Sequence, residues 1–306
     1  MSNLVKNRHE VLFTYDVSWA NPNGDPLDEN KPRVDEETGL NIVTDVRLKR
    51  TIRDALVELG HEIFLREERH EDGTRKTKED IMSVYNNDPE EVLRRCIDIR
   101  LFGGTFALKG NQEAFALTGP VQFKFGRSLH RVKVELIKGT TIMPSATEKQ
   151  QGTFTEVHVV PYSLIVFYGV INEKSASETQ LTEDDVKVLF KALWVGHKAS
   201  TDVITRSKLG HEPRLLLDIV YKEDSLTHMG ELDKLIAFQS DKPDEAIRDI
   251  SEGQLMLSGL AEKVQTYKDK IEKVRYQLGD RLQLMPSLEE VFEGVTLEPF
   301  PWSEEI

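Results

Sequence analysis

The feature that most constrains this chain is an apolar strand followed by a turn-rich loop and a cationic helix. In residues 9–17, β-branched and aromatic side chains alternate with other residues, which predicts a strand. Residues 21–39 contain the run Asn21-Pro22-Asn23-Gly24-Asp25 and further prolines and glycines, as is typical of a loop. Thr44 then stands where a helix cap is expected, before a core face formed by Leu48, Ile52, Ala55, Leu56 and Leu59.

The charge of the chain is unevenly distributed. With 306 residues and a net charge of −13, the chain as a whole is acidic, which by itself argues against nucleic-acid binding. However, residues 121–160 hold six basic and three acidic side chains, and residues 187–214 hold six basic and two acidic ones. Residues 282–306 hold six glutamates and neither Lys nor Arg. The sequence therefore predicts basic segments within an acidic envelope.

Several classes of protein are disfavoured by what the sequence lacks. No apolar run approaches the roughly 20 residues of a membrane helix, and residues 1–6 lack the apolar core of a signal peptide. Cys96 is the only cysteine and the eight histidines are dispersed, so neither a disulfide nor a metal site is predicted. Phosphate-loop, dinucleotide and nucleophile-elbow motifs are absent. We expect a cytoplasmic protein without cofactor, metal or membrane association.

The order of the predicted elements indicates an α+β fold. Strands are predicted at 121–125 and 131–136, an apolar strand at 157–171, a helix capped by Thr182 at 182–197 and a final strand at 215–221. Residues 138–155 are predicted to be a protruding hairpin or mobile loop, and further helices are predicted at 90–99 and 255–278. The order strand, helix, two strands, helix, strand is the ferredoxin-like arrangement, which RNA-recognition domains also use.

Taken in this order, several stretches resemble the backbone subunit of the CRISPR surveillance complex Cascade, the Cas-seven family, and most closely its subtype I-B, Csh-two-like members. The resemblance runs from about residue 8 to residue 221, and its first block is the most specific. The matching stretches are residues 16–26, 32–39, 43–53, 101–104, 117–122, 126–128, 147–152 and 158–162.

The resemblance implies a modified ferredoxin-like palm, of the RNA-recognition-motif type, at residues 8–222. Large insertions would form fingers at 61–118 and a thumb at 138–156, and residues 223–306 would form an acidic, helical extension packed on the palm. It also implies a non-catalytic subunit that polymerises along CRISPR guide RNA (crRNA) in a type I Cascade complex. The implied partners are crRNA, target DNA, other copies of the chain and other Cascade subunits.

The resemblance assigns RNA contacts position by position. Lys49, Arg50 and Arg53 match the helix that grips guide phosphates. In the thumb, Met143 would wedge between nucleotides, with a contact inside the protein as the alternative. Polar thumb contacts would come from Lys149, Gln150 and Gln151. The remaining RNA-binding candidates are Asn21, Asn23, Gly103, Gly104, Arg127 and Ser128 and, mainly because of their charge, Arg206, Lys208 and Arg214.

Each local feature also has an interpretation without RNA. The helix cations can form a solvated face in which Arg50 pairs with Asp54. The Gly103-Gly104 pair can be a bulge or turn rather than a place where another chain or a ligand approaches the backbone. Phe123 and Phe125 can belong to the core rather than stack on bases.

Two other functions stay open on the sequence alone. The relatives of this family in type III systems cut target RNA with a loop aspartate, for which Asp16, Asp25 and Asp35 are the candidates. The net charge of −13 also allows an interaction protein that binds no nucleic acid.

Overall fold

The structure, a computed structural model, describes residues 3–106, 115–140 and 154–303. Within these ranges, the strands are β1 (His9–Ala20), β2 (Gly24–Asp25), β3 (Lys31–Pro32), β4 (Leu40–Val43), β5 (Gly103–Phe106), β6 (Phe115–Thr118), β7 (Val121–Phe123), β8 (Gly126–Arg131), β9 (Glu135–Thr140), β10 (Phe154–Ile171), β11 (His211–Tyr221), β12 (Ala237–Ser240), β13 (Gly253–Met256), β14 (Ile271–Leu278), β15 (Leu284–Met285) and β16 (Thr296–Pro299).

The helices lie mainly between the long strands. They are α1 (Asp45–Glu58), α2 (Lys78–Ser83), α3 (Pro89–Arg95), α4 (Ile97–Phe102), α5 (Glu173–Thr179), α6 (Glu183–Lys198), α7 (Ser258–Tyr267) and α8 (Leu288–Val291), with short 3-10 helices at Leu232–Lys234, Asp244–Ala246, Ile250–Glu252 and Lys268–Lys270. The result is a mixed α/β architecture around one large sheet.

The middle strand of this sheet is β1, which is buried on both faces. It pairs antiparallel with β10, where Phe13 lies opposite Phe167, and with β11, where Phe13 lies opposite Leu216. The sheet order is β16-β14-β11-β1-β10-β8-β4, and β7 and β9 also pair with β10. The strand predicted at 9–17 is confirmed and extends to Ala20. Alternating solvent exposure is absent from most of β1 because a layer covers each face of the sheet.

Helices α1 and α6 cover one face of the sheet. The side chain of Thr44 accepts a hydrogen bond from the N–H of Arg47 and so caps α1 as predicted. Helix α6 begins with a reciprocal capping box between Thr182 and Asp185, at its predicted start. The predicted core face of α1 is confirmed, since Leu59 is partly buried and the other four members are buried, namely Leu48, Ile52, Ala55 and Leu56.

The C-terminal region covers the opposite face. Leu12, Val166 and Leu217 of the sheet pack in one cluster with side chains from residues 229–292. The single helix predicted at 255–278 is wrong, because the α-helix α7 ends at Tyr267 and β14 adds to the main sheet beside β11. That pairing joins distant parts of the chain, which local periodicity cannot reveal. Ordinary RNA-recognition domains stack bases on an open sheet face, but here both faces are covered.

Two other predicted elements differ from the structure. The strand predicted at 131–136 is wrong, since β8 ends at Arg131 and β9 begins at Glu135. The helix predicted at 90–99 is divided at Cys96, whose extended backbone separates α3 from α4. Both are placed by a separate small core that includes Phe64, Tyr85, Val92 and Cys96. Residues 64–99 of the predicted finger insertion therefore contribute to a small hydrophobic core that is separate from the two cores of the main sheet.

The predicted thumb lies partly outside the described residues. Strands β9 and β10 pair antiparallel from Glu135 opposite Val159 to Thr140 opposite Phe154. Residues 141–153 between them lie outside the described ranges, and with them Met143, Lys149, Gln150 and Gln151. Among the described residues, no helix has the length and apolar character that crossing a bilayer requires.

Candidate nucleic-acid interface

The loop after β1 is fastened to the first turn of α1. The Oδ1 of Asn23 accepts hydrogen bonds from the backbone N–H and the Oγ1 of Thr44, at 2.9 and 3.0 Å. The Nδ2 of Asn21 donates to the carbonyl of Asn30 at 2.7 Å, and Asn21 is buried. The side chains of both predicted contacts, Asn21 and Asn23, therefore shape the loop.

The second basic segment lies along the end of β1. The N–H of Ser18 donates to the carbonyl of Gly210 at 3.0 Å, and the N–H of Asn21 to that of Ser207 at 2.8 Å. Two segments almost 190 residues apart in the chain are thus held side by side. The surface that they form with the loop, made of Trp19, Asn23, Arg206 and Lys208, is called the strand-end surface below.

Lys208 is the most constrained cation of the strand-end surface. Its Nζ donates to the carbonyls of Asn21 at 2.6 Å and Pro22 at 3.0 Å. Burial and the nearby Arg47 guanidinium lower the pKa of Lys208 to about 7, although Asp202 opposes this shift. Arg206 is exposed, and among the described residues it has no ion pair within 4 Å. The two predicted cations therefore differ, one partly neutral near pH 7 and one open to a ligand.

Arg47, which is not among the RNA contacts predicted from the sequence, also belongs to this region. Its guanidinium forms a short ion pair with Asp202, which joins α1 to the segment after α6. The sequence places Arg47 on the predicted helix, directly before Leu48. It does not reveal the partner of Arg47, because Asp202 lies 155 residues further along the chain.

Lys49 and Arg53 are held by protein groups on one side of α1. The Nζ of Lys49 donates to Asp45 at 3.1 Å, and the Nε of Arg53 donates to Asp98 at 3.0 Å. Both cations also lie over the ring of Phe102, at 5.7 and 5.0 Å from its centroid. Their side chains are only 13% and 12% exposed. These three residues, Lys49, Arg53 and Phe102, are called the α1 flank below.

Arg50 differs from its two neighbours on α1. Its side chain is 57% exposed and pairs with Asp54, at 2.7 Å between Nε and Oδ2. The predicted Arg50–Asp54 ion pair is therefore confirmed. Exposed pairs of this kind contribute about 0.3–0.5 kcal/mol to helix stability, so Arg50 can exchange its partner for a phosphate at little cost.

The Gly103-Gly104 pair serves a close approach inside the chain. Gly103 has a φ of +71°, and a Cβ there would lie 2.2 Å from the carbonyl oxygen of Leu117 and 2.4 Å from the nitrogen of Gly119. Gly104 pairs with Leu117 in the β5–β6 ladder. Among the described residues, the backbone that approaches this segment belongs to the β5–β6 hairpin and to Gly119. This close approach and the positive φ account for the glycine at 103.

Two predicted contacts that lie on β8 have structural partners. Ser128 is buried, donating through Oγ to the carbonyl of His130 at 2.6 Å and accepting from the N–H of Asn41 at 2.9 Å. As an RNA contact, Ser128 does not fit this structure. Arg127 donates from Nη2 to the carbonyl of Asp233 at 2.8 Å and keeps about a third of its side chain exposed.

Arg214 is also an unsuitable RNA contact in this structure. It is 5% exposed, and its Nε donates to Asp16 at 2.9 Å while Nη1 donates to the carbonyl of Asp280 at 2.9 Å. A buried guanidinium that neutralises a buried carboxylate cannot leave it without a large cost. Charge alone could not separate Arg214 from Arg206.

The three aspartates predicted as candidates for RNA cleavage have different settings, and Asp16 lies within β1 rather than in a loop. Asp16 is buried, and burial raises its pKa, although Arg214 and the Tyr162 hydroxyl oppose the shift. Asp25 pairs with Arg33 at 2.7 Å and stays partly exposed. Asp35 is partly exposed and accepts from the Oγ1 of Thr38 at 2.7 Å, a bond that lowers its pKa. In the described part of the chain, no three His, Cys, Asp or Glu side chains are grouped to hold a metal ion.

Phe123 and Phe125 also separate in the structure. Phe123 is 7% exposed and belongs to the core with Val121, whereas Phe125 is 61% exposed. The core interpretation is therefore confirmed for Phe123 and wrong for Phe125, because β7 ends between them. Phe125 lines a cleft of about 500 Å³ together with loop residues that include Asp25, Lys31 and Arg33.

Comparisons with known proteins agree on one family. The family model described as CRISPR-associated protein Cas7 matches residues 7–258. The chain is 33% identical over 305 residues to the CRISPR-associated protein Cas7 of Haloferax volcanii, covering 91% of this chain and 88% of that protein.

Two solved structures have a similar fold. One is titled CRISPR RNA-guided surveillance complex, pre-nicking, with a TM-score of 0.56 at 13% identity, covering 94% of this chain and 98% of that chain. The other is titled CRISPR RNA-guided surveillance complex, with a TM-score of 0.54 at 15% identity and coverage of 94% and 97%. From the family match and the Haloferax relative together, the chain belongs to the CRISPR-associated Cas7 family.

Proposed function

We propose that the chain is a backbone subunit of a type I CRISPR RNA-guided surveillance complex, closest to subtype I-B. In this proposal several copies polymerise along crRNA and present it for pairing with target DNA, together with other Cascade subunits in the cytoplasm. Family membership supports the complex. The observation that carries RNA binding is the strand-end surface, where the Asn21–Asp25 loop, the start of α1 and the basic 201–210 segment meet.

The sheet topology supports a modified ferredoxin-like palm. The four strands β11-β1-β10-β8 lie in the spatial order in which a ferredoxin-like fold places its fourth, first, third and second strands, and α1 and α6 pack on one face. Because the opposite face is covered, we place the RNA on the edge of the palm. At this edge, cations can contact phosphates without base specificity.

The proposed RNA contacts divide by availability. Arg50 and Arg206 are exposed and can reach phosphates directly. Lys49 and Arg53 can add to the positive field of α1, but a direct contact would require them to leave Asp45 and Asp98. The thumb contacts proposed from the sequence, Met143, Lys149, Gln150 and Gln151, remain part of the proposal.

The proposed subunit binds without cutting. Asp16 is committed to Arg214, and Asp25 to Arg33, so neither is an unengaged base beside a nucleophile. Incubating the complex assembled on guide RNA with complementary RNA and Mg²⁺ tests this directly. Intact target RNA is the expected result, whereas cuts at regular intervals that vanish in an Asp25→Asn or Asp35→Asn variant would support the cleaving alternative.

RNA binding is tested with two exposed cations and a control of equal charge. We expect Arg50→Glu with Arg206→Glu to weaken binding of guide RNA at least tenfold, and to reduce the slope of log affinity against log salt by about 1.4, since each lost phosphate contact removes about 0.7. The control is Lys6→Glu with Lys174→Glu, two exposed lysines. Both lie near the start of β1, roughly 30 Å along the strand from the end beside which the Arg206 segment lies.

Both double variants should unfold at the same denaturant concentration as the parent, because all four side chains are exposed. Equal weakening of RNA binding by the two variants would point to a general charge effect and contradict the interface. A parent chain that binds no guide RNA at moderate salt, with no nucleic acid in the purified protein, would overturn the proposed function.

A further inference from the structure

Trp19 has a backbone conformation that its residue type disfavours. Its φ is +50°, although it lies within β1, near the strand's C-terminal end. In this region Cβ crowds the following carbonyl oxygen, so it is common for glycine and rare for a bulky aromatic residue. Residues kept in such conformations cluster at binding sites, where the surrounding structure holds them in place.

The conformation leaves the ring in solvent. Trp19 is 55% exposed, whereas the other two tryptophans, Trp194 and Trp302, are 2% and 5% exposed and pack against each other. An exposed indole does not contribute its area to the core, so packing does not account for its position. Leu209 on the adjacent segment is also exposed, at 66%.

Two cations lie on the chain segment beside Trp19, which is held to residues 18–21 by backbone hydrogen bonds. The segment next to Trp19 carries Arg206, which is exposed, and Lys208, whose ammonium is fixed on the carbonyls of Asn21 and Pro22. Asp202, an acid of the same segment, is already paired with Arg47. A flat aromatic face beside positive charge is the combination with which proteins bind single-stranded nucleic acid, because bases stack and phosphates pair.

We propose that Trp19 is a base-stacking residue, whose indole ring stacks on one nucleobase of single-stranded RNA while Arg206 and Lys208 contact the adjoining phosphates. The inference rests on the proposed function and adds a base contact to it. The stacking is independent of sequence, since every base has an aromatic face. In this proposal, the unfavourable φ of Trp19 keeps its ring exposed, where an RNA strand can reach it.

Tryptophan emission makes this contact observable. The chain has three tryptophans, and since two are buried, a change of emission on adding RNA reports on Trp19. The probe is a ten-nucleotide RNA, short enough to limit assembly of several copies, compared with an abasic ribose-phosphate chain of equal length. Binding of each is followed separately by anisotropy of a terminal dye. We expect RNA to quench the emission and the bound abasic chain to leave it nearly unchanged.

Three substitutions separate stacking from apolar contact. Trp19→Phe keeps an aromatic face and should retain most of the RNA affinity, whereas Trp19→Ala should lose about 5- to 150-fold, the usual effect of removing one stacked base contact. Trp19→Leu keeps an apolar side chain and should behave like Trp19→Ala. Equal unfolding midpoints of the Phe, Leu and Ala variants establish that the fold is not the cause.

Failure of this inference is distinguishable from failure of the proposed function. RNA binding with unchanged emission and full affinity of Trp19→Ala would overturn stacking and leave the RNA-binding role intact. A Trp19→Ala variant that binds the short RNA normally but no longer joins further copies on a long RNA, seen by sedimentation, would assign Trp19 to a protein contact instead. Absence of RNA binding in the parent would overturn both.

Discussion

On the α1 flank, Lys49 and Arg53 lie against Phe102 and are paired with Asp45 and Asp98 of the same chain. On the strand-end surface, Arg206 is exposed and Lys208 is held by backbone carbonyls, which carry no charge to neutralise it. Each of the two regions thus has one lysine and one arginine. They differ in what these cations contact. A carboxylate neutralises a cation and makes it part of the fold, whereas neutral oxygens or solvent leave its charge for a ligand.

The largest effect expected from this comparison concerns stability. Asp98 is fully buried and accepts hydrogen bonds from Arg53 and from the N–H groups of Phe64 and Leu65, at 2.8–3.1 Å. Asp98→Ala leaves these donors and a guanidinium without their acceptor. We expect the free energy of unfolding to fall by about 3–5 kcal/mol, measured by urea denaturation.

Asp54→Ala is the matched control for this change. It removes the partner of an exposed arginine on the same helix, and we expect a change of no more than about 0.5 kcal/mol. If Asp98→Ala were as mild as Asp54→Ala, the α1 flank would not be a structural element, and its cations would be as available as Arg206.

Whether the contacts of a residue can be predicted from the sequence depends on how near its partner lies along the chain. The capping of α1 by Thr44, its apolar face and the Arg50–Asp54 pair are local, and each was predicted correctly. The partners of Arg53 and Arg214 lie 45 and 198 residues away. Only the folded sheet brings Asp16 to Arg214, so charge patterning placed a buried and an exposed arginine in one class.

The same limit applies to the fold. The strands β1, β10 and β11 are long and apolar enough to be recognised from their residues. In contrast, the spacing of residues 255–278 predicts a helix where β14 lies, because what makes β14 a strand is its pairing with β11. Trp19 carried no local signal either, since its exposure depends on a positive φ that the sequence does not announce.

A second, intermediate effect concerns the pH dependence of RNA binding. The pKa of Lys208 is lowered from its ordinary value near 10.5 to about 7, so above pH 7 the free protein must take up a proton before Lys208 can pair with a phosphate. We expect the RNA affinity to fall as the pH rises from 6 to 9, approaching tenfold per unit above about pH 7. Anisotropy titrations at constant ionic strength measure this.

The stability should follow the opposite trend over the same range. Between about pH 7 and pH 10 the unfolded chain binds more protons at Lys208 than the folded chain does, so this group makes the free energy of unfolding increase with pH. Lys208→Met should remove both trends. A Lys208→Met variant with an unchanged pH profile of RNA binding would place the titrating group elsewhere.

The smallest effect is expected at Arg50, which has features of both regions. It is paired like Lys49 and Arg53, but its side chain is 57% exposed and its carboxylate partner is partly exposed. Arg50→Ala should change the free energy of unfolding by no more than about 0.5 kcal/mol, since exposed pairs contribute little. Its effect on RNA binding should be measurable, because one lost phosphate contact lowers the slope of log affinity against log salt by about 0.7. Lys187→Ala, which breaks an exposed pair with Asp184 on α6, is the control and should leave the slope unchanged. An Arg50→Ala variant with an unchanged slope would mean that exposure alone does not make a cation of α1 a phosphate contact, and that the RNA lies beyond its reach.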